Sequence, residues 1–160
     1  MSHLVLVRNR SDLLPTAPIQ INSLVAEFAV LDWQESLEFY TKCLEFKISF
    51  QRPDEGFVFL EFEGAQIMFY QANLERNLVT DQAPLERPLG RGVNLQIQTK
   101  SIELLVQKLE RTGVDLSLEP EERWYRVGEF EIGVLQFAVA DPDGYLLRFS
   151  EAIGSRAASR

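Results

Sequence analysis

The chain has 160 residues, with 16 Lys+Arg against 24 Asp+Glu, for a formal net charge of −8. Hydrophobic residues make up 46% of it and include 11 Phe, which excludes a disordered chain and supplies one sizeable core. The acidic balance argues against a nucleic-acid or anionic-membrane partner, the single Cys43 excludes an intrachain disulfide framework, and the lone histidine, His3, closes any mechanism built on a core imidazole.

Taken in chain order, residues 1–20 read as an N-terminal extension, with Pro15 and Pro18 resisting helix and LVLV at 4–7 able to add an edge strand. HLVLV is too short for a signal peptide and is followed by Arg8 and Arg10, so the expected location is the cytoplasm. Leu24–Val30 reads as a strand, with Asp32 as the N-cap of an amphipathic helix carrying Trp33, Leu37, Phe39, Tyr40 and Leu44. Cys43 falls at a mostly apolar position of that helix and reads as packed rather than reactive. Three strand-like runs follow, Phe46–Gln51, Phe57–Phe62 and Gln66–Gln71, separated by PDEG at 53–56 and EG at 63–64. Residues 72–91 form a long connection with Pro84, Pro88 and Gly90, the length of a crossover or a functional loop.

The second half repeats the order. Val93–Thr99 reads as a strand and Ser101–Arg111 as a helix stopped at Gly113. Val114–Leu118, Trp124–Val127, Gly133–Ala140 and Tyr145–Ser150 read as strands, with EPEER at 119–123 as a charged turn. SLEFYTKCLE at 36–45 aligns without gaps on SIELLVQKLE at 101–110, so the chain reads as an internal duplication. Neither the glycines at 128, 133 and 144 nor DPDG at 141–144 meets the spacing of a phosphate or Ca²⁺ loop, and DPDG reads as a hairpin turn.

Three stretches carry a family likeness: AEFAVLDWQESLEFYTKCLEFKI at 26–48, VNLQIQTKSIELLVQKLERTGV at 93–114 and LQFAVADPDGYLLRFSE at 135–151. Together they resemble the vicinal oxygen chelate superfamily of glyoxalases, extradiol dioxygenases and bleomycin-resistance proteins. The resemblance implies an α+β fold of two βαβββ modules forming curved mixed sheets around a trough. It would occupy residues 21–155 as one domain, with modules 21–71 and 92–151 joined by 72–91, and it implies a homodimer.

In the superfamily's enzymes the resemblance implies a divalent metal held from four strand positions. These fall here at Val25, Met68, Asn94 and Arg148, none of which suits a hard or borderline cation. No metal and no other cofactor is therefore expected. The sequence is closest in kind to the metal-free, bleomycin-resistance-like branch, whose members resemble dimeric proteins that sequester a drug. The corresponding function is metal-independent binding of a cationic or aromatic small molecule in a trough at the dimer interface. The alternative is a glyoxalase- or dioxygenase-like lyase or oxidoreductase with an atypical metal site, for which Glu27, Glu61 and Tyr125 are the available side chains.

The candidate ligand-binding residues are Glu27, Phe59, Met68, Tyr70, Asn94, Gln96, Trp124 and Arg148. Asn94, Gln96 and Gln98 alternate and so project from one strand face. Glu27 and Arg148 are expected to meet across the trough as an ion pair.

Overall fold

The computed structural model describes residues 19–72 and 85–158. The edge strand read at 4–7 and most of the connection at 72–91 lie outside the described residues. Two four-stranded mixed sheets are formed, one per module, in strand orders β1-β4-β3-β2 and β5-β8-β7-β6.

In the first module, β1 (Ala26–Val30) runs parallel to β4 (Ala65–Gln71), which is antiparallel to β3 (Phe57–Phe62) and through it to β2 (Lys47–Arg52). Helix α1 (Trp33–Glu38) lies between β1 and β2 and continues as a π-helical turn over Phe39–Cys43. Asp32 caps it, its Oδ1 accepting from the backbone N–H groups of Gln34 and Glu35 at 3.0 and 3.1 Å. In the second module, β5 (Asn94–Gln98) runs parallel to β8 (Leu146–Ala157), and β7 (Phe130–Ala140) joins β8 to β6 (Leu118–Val127). Helix α2 (Ile102–Thr112) is capped by the Ser101 hydroxyl and ends at Gly113, which takes the left-handed conformation at φ 71°.

Strand alternation sends one set of side chains under the helices and the other onto an open face. Phe28, Val30, Val58, Leu60, Phe62, Ile67 and Phe69 of the first sheet join Ile97, Phe137, Val139, Leu147 and Phe149 of the second in one core. Tyr40, Leu44, Leu105 and Leu109 cover it from the helical segments. The modules are thus joined through a shared apolar layer, each fully buried side chain of this size contributing about 1.5–3 kcal/mol. Phe62 meets Phe149 edge to face at 5.8 Å and Phe28 stacks on Tyr145 at 4.4 Å.

Three sequence expectations are corrected. Val114–Leu118 is not a strand of its own: residues 114–117 are irregular and Leu118 opens β6. EPEER is not a turn: it lies inside β6, where Glu121, Glu122 and Arg123 pair with Gln136, Leu135 and Val134 of β7. A long antiparallel partner supplies the ladder hydrogen bonds that this charged stretch has no intrinsic preference to form. Strand β8 does not stop at Ser150 but continues to Ala157, paired with β7 as far as Phe130.

The DPDG turn does more than reverse the chain. Both carboxylates are buried, Asp141 at 4% and Asp143 at 0% exposure. Asp143 accepts from the Leu31 backbone N–H at 3.1 Å and from Arg87 Nε at 2.9 Å. Asp141 accepts from the Tyr40 hydroxyl at 2.9 Å and from the backbone N–H groups of Asp143 and Tyr145. Gly144, at φ 86°, admits no side chain, since a Cβ there would lie 2.4 Å from that of Pro88. The turn therefore bolts the second module to β1, α1 and the segment around Pro88. No helix among the described residues is long and apolar enough to cross a membrane.

Candidate functional site

The open face of the second sheet forms a trough of about 510 Å³. Register sets its contents: Gln96 of β5 lies beside Arg148 of β8, which lies beside Ala138 of β7, and Ser150 lies between Gln98 and Gln136. Gln96, Gln98, Thr99, Ser150 and Arg148 supply its polar floor, while Tyr125, Val127, Ile132 and Val134 supply an apolar wall. The lining contains no carboxylate, imidazole or thiol, and Arg148 is its one ionised group.

A hydrogen-bonded chain borders this floor. Tyr125 donates its hydroxyl to Gln136 Oε1 at 3.1 Å, and Gln136 Nε2 donates to Glu121 Oε1 at 2.9 Å. Arg123 Nε donates to the same Glu121 oxygen at 2.9 Å. The hydrogen bond from Arg123, and after it that from Gln136, holds the Glu121 carboxyl below the ordinary carboxylate range. Gln96 Nε2 reaches the Ser150 hydroxyl at 3.4 Å. Among the described residues Arg148 donates no hydrogen bond, and its Nε is buried without a partner.

The structure gathers only some of the residues singled out from the sequence. Gln96 and Arg148 line the trough together, and Asn94 lies on the same face, exposed, at the start of β5 opposite Leu146. Glu27, Met68 and Phe59 lie side by side across the first sheet, and Tyr70 sits beside Ala29 and Phe57 on the same face. Phe59 is 1% exposed and stacks on Phe50 at 5.1 Å, so it acts as packing within that sheet. Glu27 is exposed and makes no ion pair with Arg148; alternation put each on an open face, but the two belong to different sheets. Trp124 points away from the trough. It opposes Gly133, whose missing side chain leaves room for the indole, and Arg156 lies 3.9 Å over its ring. Its neighbour Tyr125 takes the trough position, as period two requires.

Ser150 and Ala152 also line the trough, Ala152 beyond the strand end that the sequence suggests. Their signal is the continued alternation Arg148, Ser150, Ala152 along one strand. A second cavity of about 370 Å³ beside the first sheet is bordered by Asn22, Glu61 and Gln66. Its amides are spent on the backbone: Gln66 donates to the Gln20 carbonyl and Asn22 to that of Gly64, both at 2.7 Å, and Gln66 Oε1 accepts from the Asn22 backbone N–H at 2.8 Å.

The four positions that the resemblance assigns to a metal do not fit one. Val25 and Met68 belong to the first module, and Asn94 and Arg148 to the second. Valine offers no donor, methionine a soft one, and a guanidinium repels any cation. No three His, Cys, Asp or Glu side chains among the described residues are grouped so as to hold an ion. Among the described lining residues no base stands beside a nucleophile: the Ser150 hydroxyl accepts from the Gln96 amide, and its register neighbours are Gln98 and Gln136.

Comparison with known proteins agrees with this architecture. A virulence protein from Salmonella typhimurium matches with a TM-score of 0.59 at 21% identity, over 84% of this chain and 100% of that one. An integron cassette protein from the mobile metagenome of V. cholerae matches at 0.58 and 25%, over 84% and 98%. A lactoylglutathione lyase from Agrobacterium tumefaciens matches at 0.53 and 11%, over 86% and 95%, a likeness of fold alone. No curated protein is matched. The family model for the Glyoxalase/Bleomycin resistance protein/Dioxygenase superfamily matches residues 20–149, which takes in both βαβββ modules and the turn that bolts them together, and the chain belongs to that superfamily.

Proposed function

We propose that this chain is a metal-independent small-molecule-binding protein of the bleomycin-resistance type, with its ligand on the open face of the second sheet. The observation that carries this reading is the trough itself: an apolar wall with Tyr125, facing amides and one arginine, without a metal donor set or a base beside a nucleophile. The wall suits an aromatic ligand. A cationic ligand is disfavoured here, because the one ionised lining group is a guanidinium. The glyoxalase- or dioxygenase-like alternative has no support in these donors.

The same reading includes a homodimer. Val127, Phe130 and Ile132, at the end of the β6–β7 hairpin beside the trough, are 56%, 60% and 42% exposed, apolar surface that a second copy would cover.

The test combines metal analysis of protein purified without chelator, calorimetric titration with neutral and anionic aromatic ligands with cationic bleomycin as the control, and sedimentation at micromolar concentration. Sub-stoichiometric metal, saturable binding that is weakened by Tyr125→Ala, and a dimer are expected. One tightly bound divalent ion per chain, with activity lost on chelation, would overturn the reading in favour of an enzyme.

A further inference from the structure

We propose that Arg148 is a carboxylate-binding residue, whose guanidinium anchors the acid group of an aromatic monocarboxylate lying along the trough. This deepens the small-molecule reading above and rests on it.

Arg148 stands apart from the other arginines. Among the described residues, Arg52, Arg87, Arg123 and Arg156 donate to carboxylates, and Arg91, Arg111 and Arg126 donate to backbone carbonyls. Arg148 donates to nothing, although its Nε is sealed from water. The sealed Nε fixes the guanidinium in place without an acceptor of its own, so its remaining donors are held ready rather than spent on the protein. Since Nε alone is sealed, the terminal N–H groups are the part of the guanidinium that reaches the trough.

The nearby carboxylate does not satisfy it. Glu121 gives its Oε1 to Arg123 and Gln136; Arg148 lies near enough to favour its charge but donates no hydrogen bond to it, so the donors of Arg148 stay open. A planar fork beside an apolar wall matches a planar carboxylate on an apolar body, and a single cation matches a single negative charge.

Three probes sharing one ring system separate charge from shape: indole-3-acetate, indole-3-acetamide and tryptamine. Their affinities are measured by calorimetry on the full chain, and the Arg148 side-chain N–H resonance, assigned by its loss in Arg148→Gln, is followed by NMR. The acid is expected to bind about 10- to 100-fold more tightly than the amide or the amine, and to shift that resonance. Arg148→Gln should abolish the preference, and Arg148→Lys should keep its sign but lose much of its size.

Amide or amine binding as tight as the acid, or acid affinity indifferent to Arg148→Gln, would overturn the carboxylate assignment and leave the binding function standing. Failure of all three probes to bind or to move the resonance would overturn both. If Glu27→Gln shifts the Arg148 resonance in probe-free protein, the acceptor is a carboxylate of a second copy, which also overturns the proposal.

Discussion

Tyr40 donates its hydroxyl to Asp141 across 101 residues of sequence, and both side chains are buried. The bond ties the first helical segment to the last turn of the second module. Burial raises the Asp141 carboxyl to about 6, against the hydrogen bonds it accepts from Tyr145, Tyr40 and Asp143. Burial likewise pushes the Tyr40 hydroxyl well above its ordinary value, and the Tyr145 hydroxyl to about 12. Folding thus shifts Asp141 towards its protonated form relative to the unfolded chain.

That sets a sign for the pH dependence. A carboxyl whose folded pKa is raised adds stability that is fully present below its unfolded value of about 3.9 and is lost as pH rises through about 6. Denaturant titrations should show the stability of the unmodified chain, relative to Asp141→Asn, falling by about 2–3 kcal/mol between pH 4 and pH 7. A difference that stays flat over this range would mean that Asp141 is not buried under Tyr40.

Arg87 bridges two carboxylates of unequal consequence. Asp143 is fully buried and Glu35 is half exposed, at 2.9 and 2.7 Å from the guanidinium. Removing Arg87 leaves Asp143 buried without its cation, so Arg87→Ala should cost about 2–4 kcal/mol, and adding Asp143→Asn should restore part of the loss. Glu35→Ala should cost less than about 1 kcal/mol, because an exposed pair is screened and entropically poor. Chemical denaturation of the three variants checks the ordering; equal costs for Arg87→Ala and Glu35→Ala would contradict it.

Gly133 is required by Trp124. A Cβ at 133 would sit 2.7–2.8 Å from three atoms of the indole. Gly133→Ala must displace the ring from Arg156 and from Glu122, whose carboxylate accepts from its Nε1 at 2.5 Å. A loss of about 1–3 kcal/mol is expected, with a change in Trp emission, and Trp124→Leu should make the same alanine tolerable. An unchanged emission spectrum in Gly133→Ala would show that the ring is not packed there.

Glu27 is exposed and unpaired with Arg148, so Glu27→Ala should change stability by less than about 0.5 kcal/mol. Combining it with Arg148→Met should be additive in the monomeric denaturation free energy. A coupling above about 1 kcal/mol would place the two side chains in contact after all.

Most of the elements were legible in the sequence because their causes are local. Asp32 and Ser101 cap the two helices through their own side chains, Gly113 ends the second, alternation assigns Asn94, Gln96 and Gln98 to one strand face, and the family resemblance brings Arg148 to the trough. The duplicated helices announced two modules before any contact was known. What escaped was set by partners distant in the chain. EPEER became strand because β7 lies alongside it, and β8 ran on to Ala157 for the same reason. Alternation tells which side of a sheet a residue takes, but not what that side faces. So Glu27 and Arg148 were both placed on open faces, yet only the tertiary structure put them on separate sheets and left the guanidinium without an acceptor. The burial of Asp141 and Asp143 was decided in the same way: a polar turn is ordinarily solvated, and here the helical segment carrying Tyr40, with Leu31 and Arg87, closes over it.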